Sequence, residues 1–303
     1  MIHWPLNEQE GGRMEAVRAA IEKQVLSLTG LALGGVDFEN PPGDPGLFGP
    51  QSVIWQVHRD FTPMLCGGVS ALLLQMLHPL ALAGVWDHSN FRDDMIGRLR
   101  RTSQFVSVTT FGPTAEAERL IAKVKAIHLR VTGVGSDGTP YAASDPALLT
   151  WVHVAESSRF LASHLRYRNP HLSRDLQDQY YREAARVAAA LGATAIPQSC
   201  AEVEEYLQAM RPQLVCDERT QEVARILLKA PAPSALARPL GGVVMQAGID
   251  LLPDWAQRQF GFHPGALRRR LVRTGAAGLG KVLGASMRNG SYQRAVRRIT
   301  RPS

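Results

Sequence analysis

Cysteine is scarce: Cys66, Cys200 and Cys216 are the only three in 303 residues, far apart and odd in number. They make neither a disulfide framework nor a CxxC metal motif, and a reducing compartment suits them best. Residues 1–10 carry acidic side chains and no basic segment ahead of an apolar run, so they do not read as a secretory signal. The expected location is therefore the cytoplasm. HExxH and paired ExxH signatures are missing, which gives zincin and di-iron chemistry no support. The GxSxG elbow, the Walker loop and a GxGxxG following a strand are missing too, which removes the common hydrolase, nucleotide and dinucleotide readings. Neither low-complexity segments nor internal repeats are found.

Acidic residues vanish from the last stretch of chain. Residues 261–303 hold ten Arg or Lys and no Asp or Glu, leaving 24 basic against 27 acidic residues elsewhere. Such a tail reads first as solvated, with peripheral contact to an anionic membrane, such as the inner membrane, as the alternative. Nucleic-acid binding lacks a second feature, because no reading module or interleaved aromatic pattern accompanies the arginines.

What is present is the balance of a folded protein, with 45% hydrophobic and 20% charged residues. Apolar side chains recur at helical spacing, and no strong Asn-Gly or Asp-Gly hairpin sits between β-branched runs. The prediction is an all-α, single globular helical domain, with helices over 13–31, 51–59, 63–77, 79–86, 93–110, 114–132, 145–166, 173–191, 200–210, 217–228 and 236–252. An N-terminal helix and Pro/Gly loop occupy 1–50, a helical core 51–260, and a basic helical tail 261–303. Residues 64–86 are apolar enough to raise a membrane span, but His78-Pro79 should break that run into two core segments.

Four histidines, His78, His88, His128 and His153, lie in or beside apolar helices. His128 shares a helical face with Ile121, Val124, Ile127 and Val131, where an imidazole can present one neutral nitrogen to a haem iron. A core histidine making a hydrogen bond has the same surroundings, and so does His153 after Trp151. Arg98, Arg101 and Thr102 stand at i, i+3 and i+4, so one helix face gathers two guanidiniums and a hydroxyl. These could hold propionates, polarise dioxygen or stabilise an oxyanion, or form a surface cluster paired with Asp93, Asp94 or Glu116.

The run Leu72-Leu-Leu-Gln-Met-Leu-His-Pro-Leu-Ala-Leu-Ala-Gly-Val-Trp-Asp-His-Ser-Asn-Phe-Arg is followed by Gly97-Arg-Leu-Arg-Arg-Thr, Phe111-Gly, Ile127-His-Leu-Arg-Val and Pro140-Tyr-Ala-Ala-Ser-Asp-Pro-Ala-Leu-Leu-Thr-Trp-Val-His. In this order the motifs, spanning roughly 55–167, resemble the family of latex-clearing rubber oxygenases and the MpaB-type oxygenase of mycophenolic acid biosynthesis.

The resemblance implies a globin-like helical core with one haem b, dioxygen as co-substrate, and a catalytic domain over 51–260. The family's axial histidine falls in the motif matched by His128, with His153 as the rival ligand. Its distal Arg-x-x-Lys-Thr matches Arg98 to Thr102, but Arg101 stands where those enzymes have lysine, which puts a lysine-like role in doubt. Their catalytic glutamate has no match here; Asp87, Asp93 and Asp94 are merely nearby. The expected function is oxygenation of a hydrophobic, unsaturated or isoprenoid-like small molecule. A non-catalytic haem sensor or carrier, or a haem-free membrane-surface protein, are the alternatives.

Overall fold

A computed structural model describes residues 8–230 and 238–301, and among these the chain forms fourteen α-helices and one two-stranded sheet. The helices are α1 (Glu8–Leu28), α2 (Val53–His58), α3 (Phe61–Gln75), α4 (Pro79–His88), α5 (Met95–Phe111), α6 (Thr114–His128) and α7 (Pro146–Tyr167). They continue with α8 (Arg174–Leu191), α9 (Cys200–Met210), α10 (Glu218–Leu228), α11 (Arg238–Leu251), α12 (Asp254–Gln259), α13 (Ala266–Ser286) and α14 (Ser291–Thr300). The fold is all-α, as the periodicity requires. The start of the helix expected over 236–252, at Leu236, lies outside the described residues, as does most of the segment read as lacking a signal.

Local chemistry sets the helix boundaries. Asp145 caps α7, its carboxylate accepting from the Ala147 and Leu148 amides at 2.7 and 3.2 Å, with Pro146 in the first turn. Pro79 separates α3 from α4, which meet at 105°, and the His78 ring accepts from the Leu80 amide at 3.3 Å. No single described helix is long and apolar enough to cross a membrane; only this bent pair passes on combined length and composition.

Three expectations need correction. The helix expected over 114–132 stops at His128, and Thr132–Val134 pairs antiparallel with Pro140–Ala142. An Asp-Gly turn at Asp137-Gly138 closes this hairpin between strands of only three residues, since the Asp137 carboxylate takes the Thr139 amide at 2.9 Å and Gly138 adopts a φ of 86°. The short helix α12 carries too few apolar positions to show a period. The basic stretch read as a solvated tail is packed: Ala276, Leu279, Leu283 and Ala295 are buried, and Arg298 is fully enclosed. Its guanidinium donates to the Asp44, Phe38 and Gly112 carbonyls at 2.8, 2.8 and 3.3 Å, latching α14 onto the Pro/Gly loop.

At the centre α3 is gripped by α7 on one side and α11 on the other. Gly67 makes the first approach possible, because a Cβ there would stand 2.9 Å from Phe160 Cδ1 and 3.0 Å from the Arg159 carbonyl oxygen. Gly248 makes the second, where a Cβ would fall 2.4 Å from Val69 Cγ1. Behind α11, the buried Asp250 carboxylate collects Arg273 at 2.7 Å and Arg166 at 3.1 Å, tying α7, α11 and α13 together. Gly248→Ala should therefore force α11 away from α3 and lower stability by about 1–3 kcal/mol. Urea unfolding would read this as a lower midpoint with an unchanged slope.

Candidate active site

A cavity of about 1450 Å³ opens between the helices, with walls drawn chiefly from α1, α3, α5, α6, α7, α11 and α13. Its main chamber follows from which helices touch. Packing joins α5 to α6 and α3 to α7, but no comparable seam joins one pair to the other. The consecutive helices α6 and α7, linked by the hairpin, thus stand apart. Much of the lining is apolar, including Leu72, Phe105, Val124, Val152 and Phe160, with Gly68 opening the α3 wall.

The five residues expected to form the site, His128, His153, Arg98, Arg101 and Thr102, all line this one cavity. His128 ends α6, and its Nδ1 is buried without a hydrogen-bond partner among the described residues. Burial holds its ring below the ordinary histidine pKa. His153 projects from the second turn of α7, its Nε2 likewise buried and unpartnered, and burial pushes its pKa down to about 4. Burial disfavours the protonated form of both rings, which leaves each able to offer a lone pair. Leaving a buried polar atom unpaired costs about 1–3 kcal/mol; these two rings line one cavity, whereas the fully enclosed His164, whose nitrogens are also unpartnered among the described residues, does not.

The α5 face divides. Arg98 turns inward, donates to the Ser89 hydroxyl at 3.1 Å and meets no carboxylate among the described residues. Burial, reinforced by nearby Arg101, lowers its pKa to about 10, so it remains a cation. Arg101 sits at the exposed rim, 3.4 Å from Asp94, and so fits the surface-pair reading that Arg98 does not. Thr102 is exposed at the cavity edge, its hydroxyl donating to the Arg98 carbonyl at 3.2 Å.

Sequence reasoning missed Glu156. It lies one turn beyond His153 on α7, lines the cavity, and makes neither a hydrogen bond nor an ion pair among the described residues. Burial raises its carboxyl to about 7. The only signal in the sequence is the three-residue offset from His153, which puts both on one face of α7. The carboxylates suspected from proximity do not line the cavity: Asp87 accepts from the Tyr141 hydroxyl at 2.7 Å, Asp94 caps α5, and Asp93 lies on the surface. His58 does line it, but both its nitrogens are engaged, with Thr110 Oγ1 at 2.9 Å and the Tyr180 hydroxyl at 3.1 Å. His78 caps α4, and His88 pairs with the Thr132 carbonyl at 3.1 Å, both structural roles.

The family model described as "ER-bound oxygenase mpaB/B'/Rubber oxygenase, catalytic domain" matches residues 55–282. The chain belongs to this family. That span includes all five expected site residues and Glu156, and it assigns the protein to the oxygenases, enzymes that take dioxygen as co-substrate. No curated protein and no solved structure matches the chain.

As an oxygenase domain with a half-buried carboxyl raised to about 7 beside its cavity, the protein should show a signature in its pH stability. A carboxyl near 4.5 when unfolded and about 7 when folded keeps extra protons in the native state between those values. Its stabilising contribution is complete below pH 4.5 and is lost as pH rises through 7. In the ligand-free protein Glu156→Gln should raise stability at pH 8 by on the order of 2 kcal/mol, with little effect at pH 4.5. Denaturant midpoints at the two pH values measure this; equal shifts at both would contradict it.

Proposed function

We propose that this mpaB/rubber oxygenase family member is a haem b-dependent oxygenase acting on a hydrophobic, unsaturated or isoprenoid-like small molecule. The observation that carries this is the pair of imidazoles, His128 and His153, both held below the ordinary histidine pKa by burial, that line one large apolar cavity. Among the described residues no group of three or more His, Cys, Asp or Glu could hold a bare metal ion. A haem needs no such group, because its macrocycle brings four of the iron's ligands and asks the protein for one or two.

The rest of the cavity fits the same group. A typical small-molecule pocket is about 300–1,000 Å³, whereas this cavity of about 1450 Å³ has room for a cofactor and an apolar substrate together. Glycine at position 68 leaves the α3 wall flat, with nothing nearer than 3.8 Å to a Cβ placed there. Arg98 brings a half-buried cation that no carboxylate pairs with among the described residues, as a propionate would require.

In this reading His128 holds the iron, following the motif it occupies, and His153 stands as the second imidazole in the chamber. Arg98 orients anionic or polar atoms against the α5 wall, assisted at the rim by Arg101 and Thr102. Glu156, its carboxyl raised to about 7, divides between protonated and ionised forms at neutral pH and can give or take a proton where a reacting molecule can reach it. The apolar walls exclude water and select an apolar substrate. The haem, when bound, supplies dioxygen activation, which these side chains do not perform themselves. Membership of a catalytic-domain family favours turnover over the sensor or carrier reading.

The test is the visible spectrum of the haem-loaded protein. Wild type should show a Soret band at one haem per chain, His128→Ala should lose it, and His153→Ala should keep a shifted band. Loss in His153→Ala alone would move the iron to α7, and absence of a band in wild type would overturn the proposal.

A further inference from the structure

The basic stretch that reads as a tail becomes α13, and this helix has two apolar faces instead of one. Its inward face, with Leu279 and Leu283, lines the cavity. Its outward face is built by Leu267, Leu271, Thr274, Gly278, Val282 and Ala285, all exposed. Their offsets of 4, 7, 11, 15 and 18 from the first place them on one stripe along the helix. Leu267, Leu271 and Val282 are 73%, 65% and 54% exposed, so large apolar side chains face water along the length of α13.

Cations flank the stripe on both sides. Going around the helix, Arg270 and Lys281 lie along one edge and Arg268 along the other, all exposed. None of the three pairs with a carboxylate among the described residues, while their neighbours Arg269 and Arg273 turn inward to Asp250. No acidic residue occurs anywhere from 261 to 303 to compensate them. An apolar stripe edged by uncompensated Arg and Lys is the pattern of a helix lying in a lipid interface, its cations reaching anionic headgroups. A helix shed into water would place its charges along the centre of the exposed face and its leucines underneath.

We propose that the outward face of α13 docks the protein peripherally on an anionic lipid surface. Charge complementarity selects that occupant over a neutral bilayer. The placement adds a consequence, since the helix resting on lipid is also a wall of the cavity. Exposed Val17 and Leu240 line the same cavity beside it, so an apolar solute leaving the bilayer would meet apolar side chains on the way in. The docking proposal does not depend on haem.

The experiment is flotation of the full chain with vesicles of phosphatidylcholine alone and with vesicles that also contain phosphatidylglycerol. Wild type should float with the anionic vesicles only and release as salt is raised. The combined Arg268→Glu, Arg270→Glu, Lys281→Glu variant should lose about tenfold or more in the bound fraction. The combined Leu267→Ser, Leu271→Ser, Val282→Ser variant should lose a similar amount, and Arg182→Glu, at an exposed position of α8, should bind like wild type. Circular dichroism keeps the result independent of misfolding, because every substituted side chain is exposed. Failure of wild type to float, or undiminished binding by either triple variant, overturns the proposal. So does a concentration-dependent dimer that the serine variant disperses, which would give the stripe to a second copy of the chain.

Discussion

The structure depends on one constraint: a large chamber must be held open between two helix pairs whose natural tendency is to collapse. Protein interiors pack as densely as organic crystals, and an apolar void forfeits the contacts of every atom on its walls. Here the walls also carry the imidazoles of His128 and His153, with the Glu156 carboxyl and the Arg98 cation, which find no ion-pair partner among the described residues. Each is unfavourable alone, and none is explained by packing. Together they describe the outline of a molecule that is polar at a few points and apolar elsewhere.

The framework resists collapse because its rigid contacts lie around the chamber and not across it. Gly67 and Gly248 let α7 and α11 clamp α3 at distances no side chain would allow. Asp250 holds α7, α11 and α13 in one buried charge cluster, and Arg298 fastens α14 to the loop that precedes α2. The hairpin of Thr132–Val134 and Pro140–Ala142 then spaces α6 from α7 at the end where His128 sits. Its position explains why α6 stops at His128: the chain must leave the helix there to cross the gap.

Legibility in the sequence followed the physics of each feature. Helices of the core were readable because burial on one face repeats with the helical period, as in α7, where Asp145 and Pro146 also announce the start. His128, Arg98, Arg101 and Thr102 could be named in advance because ordered motifs fix their place, but spacing alone could not tell a ligand from a satisfied core histidine. His58 shows the difficulty, since it lines the same cavity with both nitrogens engaged. Glu156 was invisible because a glutamate in a helix looks solvated until tertiary packing closes over it. Arg298 was hidden the same way: its ten-cation stretch looks like a solvated tail, and only the three carbonyls contributed by distant loops turn one arginine into a buried anchor. Long-range contacts of this kind have no local period to read.

The most direct test of the account is thermal unfolding of the chain with and without one equivalent of haem. If His128 and His153 lack partners because their partner is a bound group, occupying the cavity should stabilise the native state by mass action and raise Tm by several degrees. The rise should be large in wild type and largely absent in the His128→Ala, His153→Ala double variant. An unchanged Tm in wild type, or an equal rise in the double variant, would contradict the claim that these imidazoles are there to hold a cofactor.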